Sequence, residues 1–244
     1  MTANPTRHLL RADIGLLLSY LSMTNSDPEE NQSTLTVSQF IRIPLKRIGV
    51  VIGKGGSNRQ QIEAKTLSKI MIDSDTGEVE IRPLPELKDP VLLLNAKDIV
   101  KAIGRGFSLS QSLKLAEDNY YLEIIRLKPL TGPQQSQIRR VKSRIIGSAG
   151  KTKETIEELT GCSLVVLGGT VSVIGEFEKI GDAKDAILNI IKGYDIENVL
   201  SKLEELKREM KKEEQKLWKE KDEIVEDEED IETKEEDIFE DFEE

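Results

Sequence analysis

Apolar and polar residues follow one another along residues 37–116 in a pattern that predicts short strands and helices. Strand-like runs occupy 37–43, 69–73 and 78–81, and the last of them alternates with a period of two. Helical spacing occupies 46–52, 57–68 and 96–103, and a further short helix is predicted at 109–115. The predicted order of the main elements is therefore β-α-α-β-β-α.

Residues 117–194 repeat this order. A strand at 120–125 precedes two helices, a hairpin joined by Gly168 and Gly169, and a closing helix with apolar residues at helical spacing. The predicted bounds are 134–146 and 151–159 for the first two helices, 163–167 and 170–174 for the hairpin, and 177–192 for the closing helix. The fold class is α+β, with two copies of one unit at 37–116 and 117–194.

Capping and breaking residues set several of the predicted boundaries. Asn95 is the expected N-cap of the helix at 96–103, and Gly161 is the expected C-cap of the helix that precedes it. Three prolines predict that residues 82–90 form a loop.

Each copy places a Gly-x-x-Gly sequence between its first two helices. The two sequences are Gly53-Lys54-Gly55-Gly56 and, 94 residues later, Gly147-Ser148-Ala149-Gly150. Glycines three apart let the backbone turn sharply and present N–H groups at a helix N-terminus, which suits a phosphate. One such loop is a weak indication, but two in the same context form a repeat. The alternative to phosphate binding is that these glycines only allow tight turns between helices.

The charge is unevenly distributed. The formal net charge is −10, yet residues 195–244 hold 23 acids and 9 bases, while residues 37–194 hold 18 acids and 24 bases. The body is thus mildly basic and compatible with an anionic partner. Six Arg or Lys residues lie between Arg139 and Lys153, around the second loop.

The two ends of the chain differ from the body. Residues 1–36 are expected to be either an arm without packed structure or the product of a start codon assigned too early, with Met23 or a later residue as the true start. Residues 195–225 predict a charged helix that docks over its first turns, and residues 226–244 an acidic disordered tail. The alternative for the tail is that it binds a basic partner or masks the protein's own anion-binding surface.

Several classes of chemistry are disfavoured. Cys162 is the one cysteine and His8 the one histidine, so we expect no disulfide, no metal site, no Ser-His-Asp triad and no cofactor. Gly150-Lys151-Thr152 resembles the end of a phosphate-binding P-loop, but that pattern needs glycine where Ile145 stands. Gly104-Arg105-Gly106 lacks the third glycine of a dinucleotide site. No apolar run is long enough to span a membrane.

The two loops in this element order resemble tandem type I KH domains. Residues 102–108, 120–125 and 144–152 are similar to the archaeal counterpart of the eukaryotic "partner of Nob" family, and the Ile-Gly-Arg-Gly-Phe run at 103–107 is the most specific part. The resemblance implies a cytoplasmic, non-enzymatic factor that binds single-stranded RNA near the 3′ end of the small-subunit rRNA during subunit maturation. It also implies contact with the alpha subunit of translation initiation factor two and with the Nob endonuclease.

In a KH fold the loop holds the RNA backbone while a groove receives about four nucleotides. The expected groove floors are Ile52 with Ile62, and Ile146 with Ile156. Arg59 and Lys153 depart from the family pattern, which has an apolar residue three positions after the last glycine. The rival is a protein scaffold or translation-linked adaptor, and the first domain could serve protein contact. The predicted RNA-binding residues are Gly53, Lys54, Gly55, Gly56, Arg59, Arg139, Arg140, Arg144, Gly147, Ser148, Ala149, Gly150, Lys151 and Lys153.

Overall fold

Two antiparallel three-stranded sheets form the framework of the protein. The computed structural model describes residues 38–213 together with 215 and 216. In each sheet the third strand along the chain lies between the other two. The strands are β1 (Gln39–Arg42), β2 (Ser68–Ile72) and β3 (Glu78–Pro83), then β4 (Tyr120–Arg126), β5 (Ser163–Leu167) and β6 (Thr170–Glu176).

Helices cover one face of each sheet and give two β-α-α-β-β-α units, which confirms the predicted fold class. The second unit also contains a short helix, Leu127–Thr131, that the sequence pattern did not predict. The helices are α1 (Leu45–Ile52), α2 (Ser57–Thr66), α3 (Pro90–Arg105), α4 (Leu109–Leu113), α5 (Leu127–Thr131), α6 (Gln135–Ile146), α7 (Lys151–Thr160), α8 (Phe177–Lys192) and α9, which covers 196–213.

The predicted start of α3 is wrong by six residues. The side chain of Asp89 caps this helix by accepting a hydrogen bond from the backbone N–H of Val91 at 2.9 Å. Pro90 is the first helical residue, a position that lacks an intrahelical N–H partner and therefore tolerates proline. Asn95 lies inside the helix. Pro90, the last residue of the predicted loop, is instead the first residue of the helix.

Helix α2 is also shorter than predicted, because it ends at Thr66 and not at Ser68. Leu67 adopts a left-handed conformation with a φ of 46°, which ends the helix at Thr66. Ser68 is then the first residue of β2, and its hydroxyl lies 2.8 Å from that of Thr66.

Each unit has its own core, built mainly from branched aliphatic residues. The inward positions of the central strands, Val79 and Ile81 in one sheet and Val171 and Val173 in the other, are fully buried. Cys162 is buried in the second core, where it packs as a small apolar side chain.

The outer face of the second sheet packs on the end of the first unit. Ile174 from β6 belongs to the core of the first unit, with Tyr120 and Leu122 packed beside it. A Cβ atom on Gly106 would come within 2.9 Å of Val165, so the turn after α3 approaches β5 closely. The two units are thus joined head to tail by apolar contact.

The chain that leads into α9 resembles the chain that leads into α4, because the helix before each ends at an equivalent glycine. Gly106 and Gly193 end α3 and α8 in the same way, with φ values of 112° and 102° and N–H groups bonded to Ile103 and Ile190. Val199 and Leu203 are buried against the second core. The first turns of α9 therefore dock on this core. The part of the expected helix at 217–225 lies outside the described residues, as do the expectations for 1–36 and 226–244.

Candidate nucleic-acid interface

The two glycine loops have nearly the same backbone conformation. The φ and ψ angles are 73° and 177° at Gly53 against 75° and 180° at Gly147. At the third position, Gly55 has a φ of 61°, while Ala149 has a φ of 53°. An alanine in this left-handed region is strained. The second loop therefore has the same backbone conformation as the first, although alanine takes the place of one glycine.

The first glycine of each loop leaves no room for a side chain. A Cβ atom would lie 2.5 Å from Asn58 Cγ at Gly53, and 2.2 Å from Thr152 Oγ1 at Gly147. The Asn58 Nδ2 group also donates a 2.7 Å hydrogen bond to the carbonyl of Val50, which ties the loop to the end of α1. Close packing thus presses the start of each loop onto the following helix.

Both loops lead directly into a helix that has no side-chain cap. Gly56 precedes α2 and Gly150 precedes α7, and neither helix has a capping side-chain hydrogen bond. The N–H groups of Ser57 and Lys151 donate to the carbonyls of Lys54 and Ser148, and no described side chain caps the N–H groups that follow. The helix dipole favours an anion at this end. The first turn of α2 contains no acid, whereas that of α7 contains Glu154.

The predicted basic residues differ in how they are engaged. Lys54, Arg139, Arg140 and Lys151 are exposed. Around the first loop, Arg59 brings a guanidinium nitrogen within 3.9 Å of a Cβ position on Gly56. Its Nε is buried and has no hydrogen-bond partner among the described residues. The terminal nitrogen beside Gly56, not the buried Nε, is the donor that a ligand oxygen at the loop can meet. Arg59 is therefore well placed for an anion.

Two predicted residues around the second loop have partners within the protein. Lys153 forms an ion pair with Glu157 at 3.2 Å. Arg144 donates a 2.7 Å hydrogen bond to the carbonyl of Ile190 and another to that of Tyr194, at the end of α8. The dense positive charge expected here is thus partly used inside the protein.

Arg144 has a counterpart in the first unit that is not at the equivalent position of the repeat. Arg47 on α1 donates 2.9 Å hydrogen bonds to the carbonyls of Ile103 and Phe107, at the end of α3. In both units an arginine before the loop bonds one carbonyl in the last helical turn and one carbonyl just after the capping glycine.

Two of the four residues expected to form the groove floors are covered by other atoms. Ile62 and Ile156 are fully buried in the cores and cannot touch a ligand in this structure. Ile52 and Ile146 remain partly exposed. Helical periodicity predicts which residues face inward, but it does not say whether the next layer of atoms covers them.

Two carboxylates reach the edge strands and were not predicted. Glu63 accepts a 2.8 Å hydrogen bond from the backbone N–H of Ile70 on β2. Glu157 accepts a 2.6 Å hydrogen bond from Leu164 on β5. Both glutamates stand seven residues after the last glycine of a loop. An alignment of the two copies at their loops would have shown that both have glutamate at this position.

Residues 38–213, 215 and 216 contain no group of three or more His, Cys, Asp or Glu side chains that could hold a metal ion. Within the same part of the chain, no helix combines the length and the apolar character needed to cross a membrane.

The sequence matches known KH domains in both units. A family model described as a KH domain matches residues 38–86, and one described as a eukaryotic type KH-domain (KH-domain type I) matches residues 121–208. A KH domain-containing protein of Methanocaldococcus jannaschii is 42% identical over 155 residues, which cover 64% of this chain and 67% of the relative. The chain belongs to the archaeal PNO1/Dim2-like family of KH-domain proteins.

Solved structures similar to this chain agree with the assignment. Dim2p from Pyrococcus horikoshii is 42% identical with a TM-score of 0.65, and the match covers 69% of this chain and 99% of that one. A protein of unknown function from Aeropyrum pernix is 33% identical with a TM-score of 0.71, covering 75% and 98%. A third structure is the a/eIF2alpha-aDim2p-rRNA complex from Pyrococcus horikoshii, at 40% identity, a TM-score of 0.68, and coverage of 74% and 99%.

KH domains of these families are non-catalytic RNA-binding modules. As a PNO1/Dim2-like protein, the chain is an RNA-binding protein of ribosome biogenesis.

Proposed function

We propose that this PNO1/Dim2-like protein binds the single-stranded 3′ end of the small-subunit rRNA in the cytoplasm and acts without catalysis during maturation of the subunit. The phosphate backbone is held at the Gly-x-x-Gly loops by N–H groups and by the basic residues predicted from the sequence. The complex formed by the relative from Pyrococcus horikoshii contains rRNA, which supports this choice of ligand.

One observation carries the proposal. Two loops 94 residues apart share the same unusual backbone angles, and each begins a helix whose first N–H groups have no side-chain cap. The second loop maintains this geometry with Ala149 in a left-handed conformation, at a cost in strain. A tight turn needs no helix N-terminus without a side-chain cap. A bound phosphate does need one, because it accepts hydrogen bonds from the N–H groups there.

The test measures affinity for an oligonucleotide with the sequence of the rRNA 3′ end across a series of salt concentrations. The two loop variants are Lys54→Asp/Gly55→Asp and Ser148→Asp/Ala149→Asp. A side chain at position 55 meets no described atom within 4 Å, and aspartate is one of the few residues that adopt a φ near the 61° found there. Ala149 is exposed, so both variants should fold. We expect weaker binding and a shallower dependence of log affinity on log salt, because fewer phosphates are contacted.

A matched control separates a local effect from a change in total charge. The variant Ser201→Asp/Arg208→Ser lowers the net charge by the same amount as the second loop variant, at exposed positions on α9. It should bind RNA nearly as the wild type does. If the loop variants bind no worse than this control, the loops do not hold the backbone and the scaffold function takes precedence.

An adaptor function is the second candidate, and it is supported by the presence of a/eIF2alpha in the relative's complex. We propose that the protein also contacts the alpha subunit of translation initiation factor two and the Nob endonuclease. Binding of each purified partner would be measured with the wild type and with both loop variants. If an adaptor surface lies apart from the loops, partner binding persists when RNA binding is lost.

A further inference from the structure

The Ile-Gly-Arg-Gly-Phe run at 103–107 is explained by packing at every position except one. Ile103 and Phe107 are fully buried. A Cβ atom on Gly104 would lie 2.9 Å from Ile43, and Gly106 has a φ of 112° and the close approach to β5 already described. Arg105 is the exception, because it forms no hydrogen bond or ion pair with any described residue.

Arg105 faces an open cleft where the two units meet. The cleft has a volume of about 560 Å³ and is bounded by α3, β4, α5 and α8. A smaller cavity of about 370 Å³ adjoins it, and Arg105 and Lys101 line both. The basic residues around the two spaces are Arg42, Lys101, Arg105, Arg126 and Lys184.

The positive charge in this cleft is only partly compensated. Lys184 pairs with Glu123 at 2.7 Å, and Lys101 lies 3.4 Å from Asp98. Arg126 is exposed and, like Arg105, has no ion-pair partner in the described part of the chain. Two free guanidinium groups in one cleft give a positive field and planar donor geometry that suit phosphate oxygens.

We propose that the cleft lined by Arg105 and Arg126 is a second binding site for the RNA phosphate backbone, apart from the Gly-x-x-Gly grooves. It contacts RNA that extends beyond the nucleotides held at a loop. The site rests on the proposed RNA-binding function, but it makes a separate prediction about RNA length.

The cleft lies within reach of a loop. Pro44 lines the smaller cavity and immediately precedes α1, and the first loop follows the far end of this helix. A helix of 8 residues is about 12 Å long. A tetranucleotide fills one groove, so only a longer RNA can occupy a loop and the cleft together.

The experiment compares a tetranucleotide with an RNA of about 16 nucleotides, each at several salt concentrations. The variant Arg105→Gln/Arg126→Gln should bind the long RNA roughly tenfold more weakly at 0.1 M salt. Its slope of log affinity against log salt should be shallower by about 1.4, because two phosphate contacts on a single strand are lost. Its affinity for the tetranucleotide should be unchanged.

Two further variants keep the test decisive. Arg105→Lys/Arg126→Lys retains the charge and should recover most of the affinity for the long RNA. Arg208→Gln removes an exposed guanidinium on α9 and should bind both RNAs as the wild type does. Thermal unfolding of each variant identifies any loss that comes from misfolding, and the lysine variant then decides the outcome.

Two outcomes would overturn the proposal. One is unchanged affinity of the glutamine variant for the long RNA, and the other is an equal loss for both RNAs. If the first outcome is accompanied by loss of binding to an acidic peptide, the cleft belongs to an acidic protein segment. Failure of the proposed function is distinguishable, because the loop variants would then bind both RNAs normally.

Discussion

At Gly147 the backbone conformation and the available space act together. Gly147 and Gly132 have similar angles, with φ values of 75° and 82° and ψ values of 180° and 175°. Only at Gly147 would a Cβ atom meet a neighbour, at 2.2 Å from Thr152 Oγ1. The pair therefore separates the cost of conformation from the cost of crowding.

We predict that Gly132→Ala lowers the free energy of unfolding by about 1–3 kcal/mol, the cost of placing a side chain in this region of φ and ψ. Gly147→Ala should cost about 1–3 kcal/mol more, because the methyl group displaces Thr152. It should also weaken RNA binding. Urea denaturation measures both values, and equal destabilisation of the two variants would contradict the role of the close contact.

The Cys162 thiol is protected by its surroundings. Burial raises its pKa above the ordinary value of 9.0, and only 4% of the residue is exposed. The reactive thiolate is therefore both rare and inaccessible in the folded protein.

We predict that the native protein reacts with iodoacetamide at pH 8 far more slowly than the same protein in urea. A free cysteine in a short peptide is the reference for the unfolded rate. Reaction of the native thiol at the peptide rate would show that Cys162 is accessible, contrary to the packing found here.

Among the helices, α3 and α8 end in the same way and are held by different arginines. Arg47 serves α3 and Arg144 serves α8, each through two carbonyl groups. Hydrogen bonds from a charged donor contribute more to stability than neutral ones. Arg144 therefore stabilises the end of α8, in contrast to Arg139 and Arg140, which are the exposed members of the predicted binding set on α6.

We predict that Arg47→Met and Arg144→Met each lower the free energy of unfolding by about 1.5–3 kcal/mol. Arg139→Met is the control, since this exposed residue should change stability by less than about 0.5 kcal/mol. Denaturant unfolding gives all three values. If Arg144→Met is as stable as the control, the carbonyl contacts do not stabilise the helix end.

Over the whole molecule, charge is divided between a basic body and an acidic C-terminal end. Residues 217–244 contain 16 acids and 3 bases, so a chain that ends at residue 216 has a formal net charge of +3 in place of −10. Long-range repulsion of RNA by this end is screened by salt.

We predict that the chain ending at residue 216 binds RNA more tightly than the full chain at low salt, and that the difference shrinks as salt is added. A full-length variant with the acids of 217–244 replaced by Gln and Asn is the control for chain length, and it should behave like the shortened chain. Equal affinities at every salt concentration would show that the acidic end does not oppose RNA binding.

Much of the fold and part of the candidate site could be predicted from the sequence, because both depend on local patterns. The bounds of α8 were correct to the residue, since its apolar spacing and Gly193 are local signals. The start of α3 was missed because Asn95 and Asp89 are both good caps, and the choice depends on which apolar residues reach the core.

The repeated element order, the positions of both loops and the separation of charge follow from the amino-acid sequence, because periodicity, glycine and formal charge are properties of the chain. The contacts made by the residues around the loops follow only from the folded structure. Phe107 is buried beneath the second sheet, whereas its counterpart Tyr194 is 60% exposed. The partners of Arg144 and the free state of Arg105 were settled in the same way, because contacts between residues far apart in the chain exist only after the two units pack together.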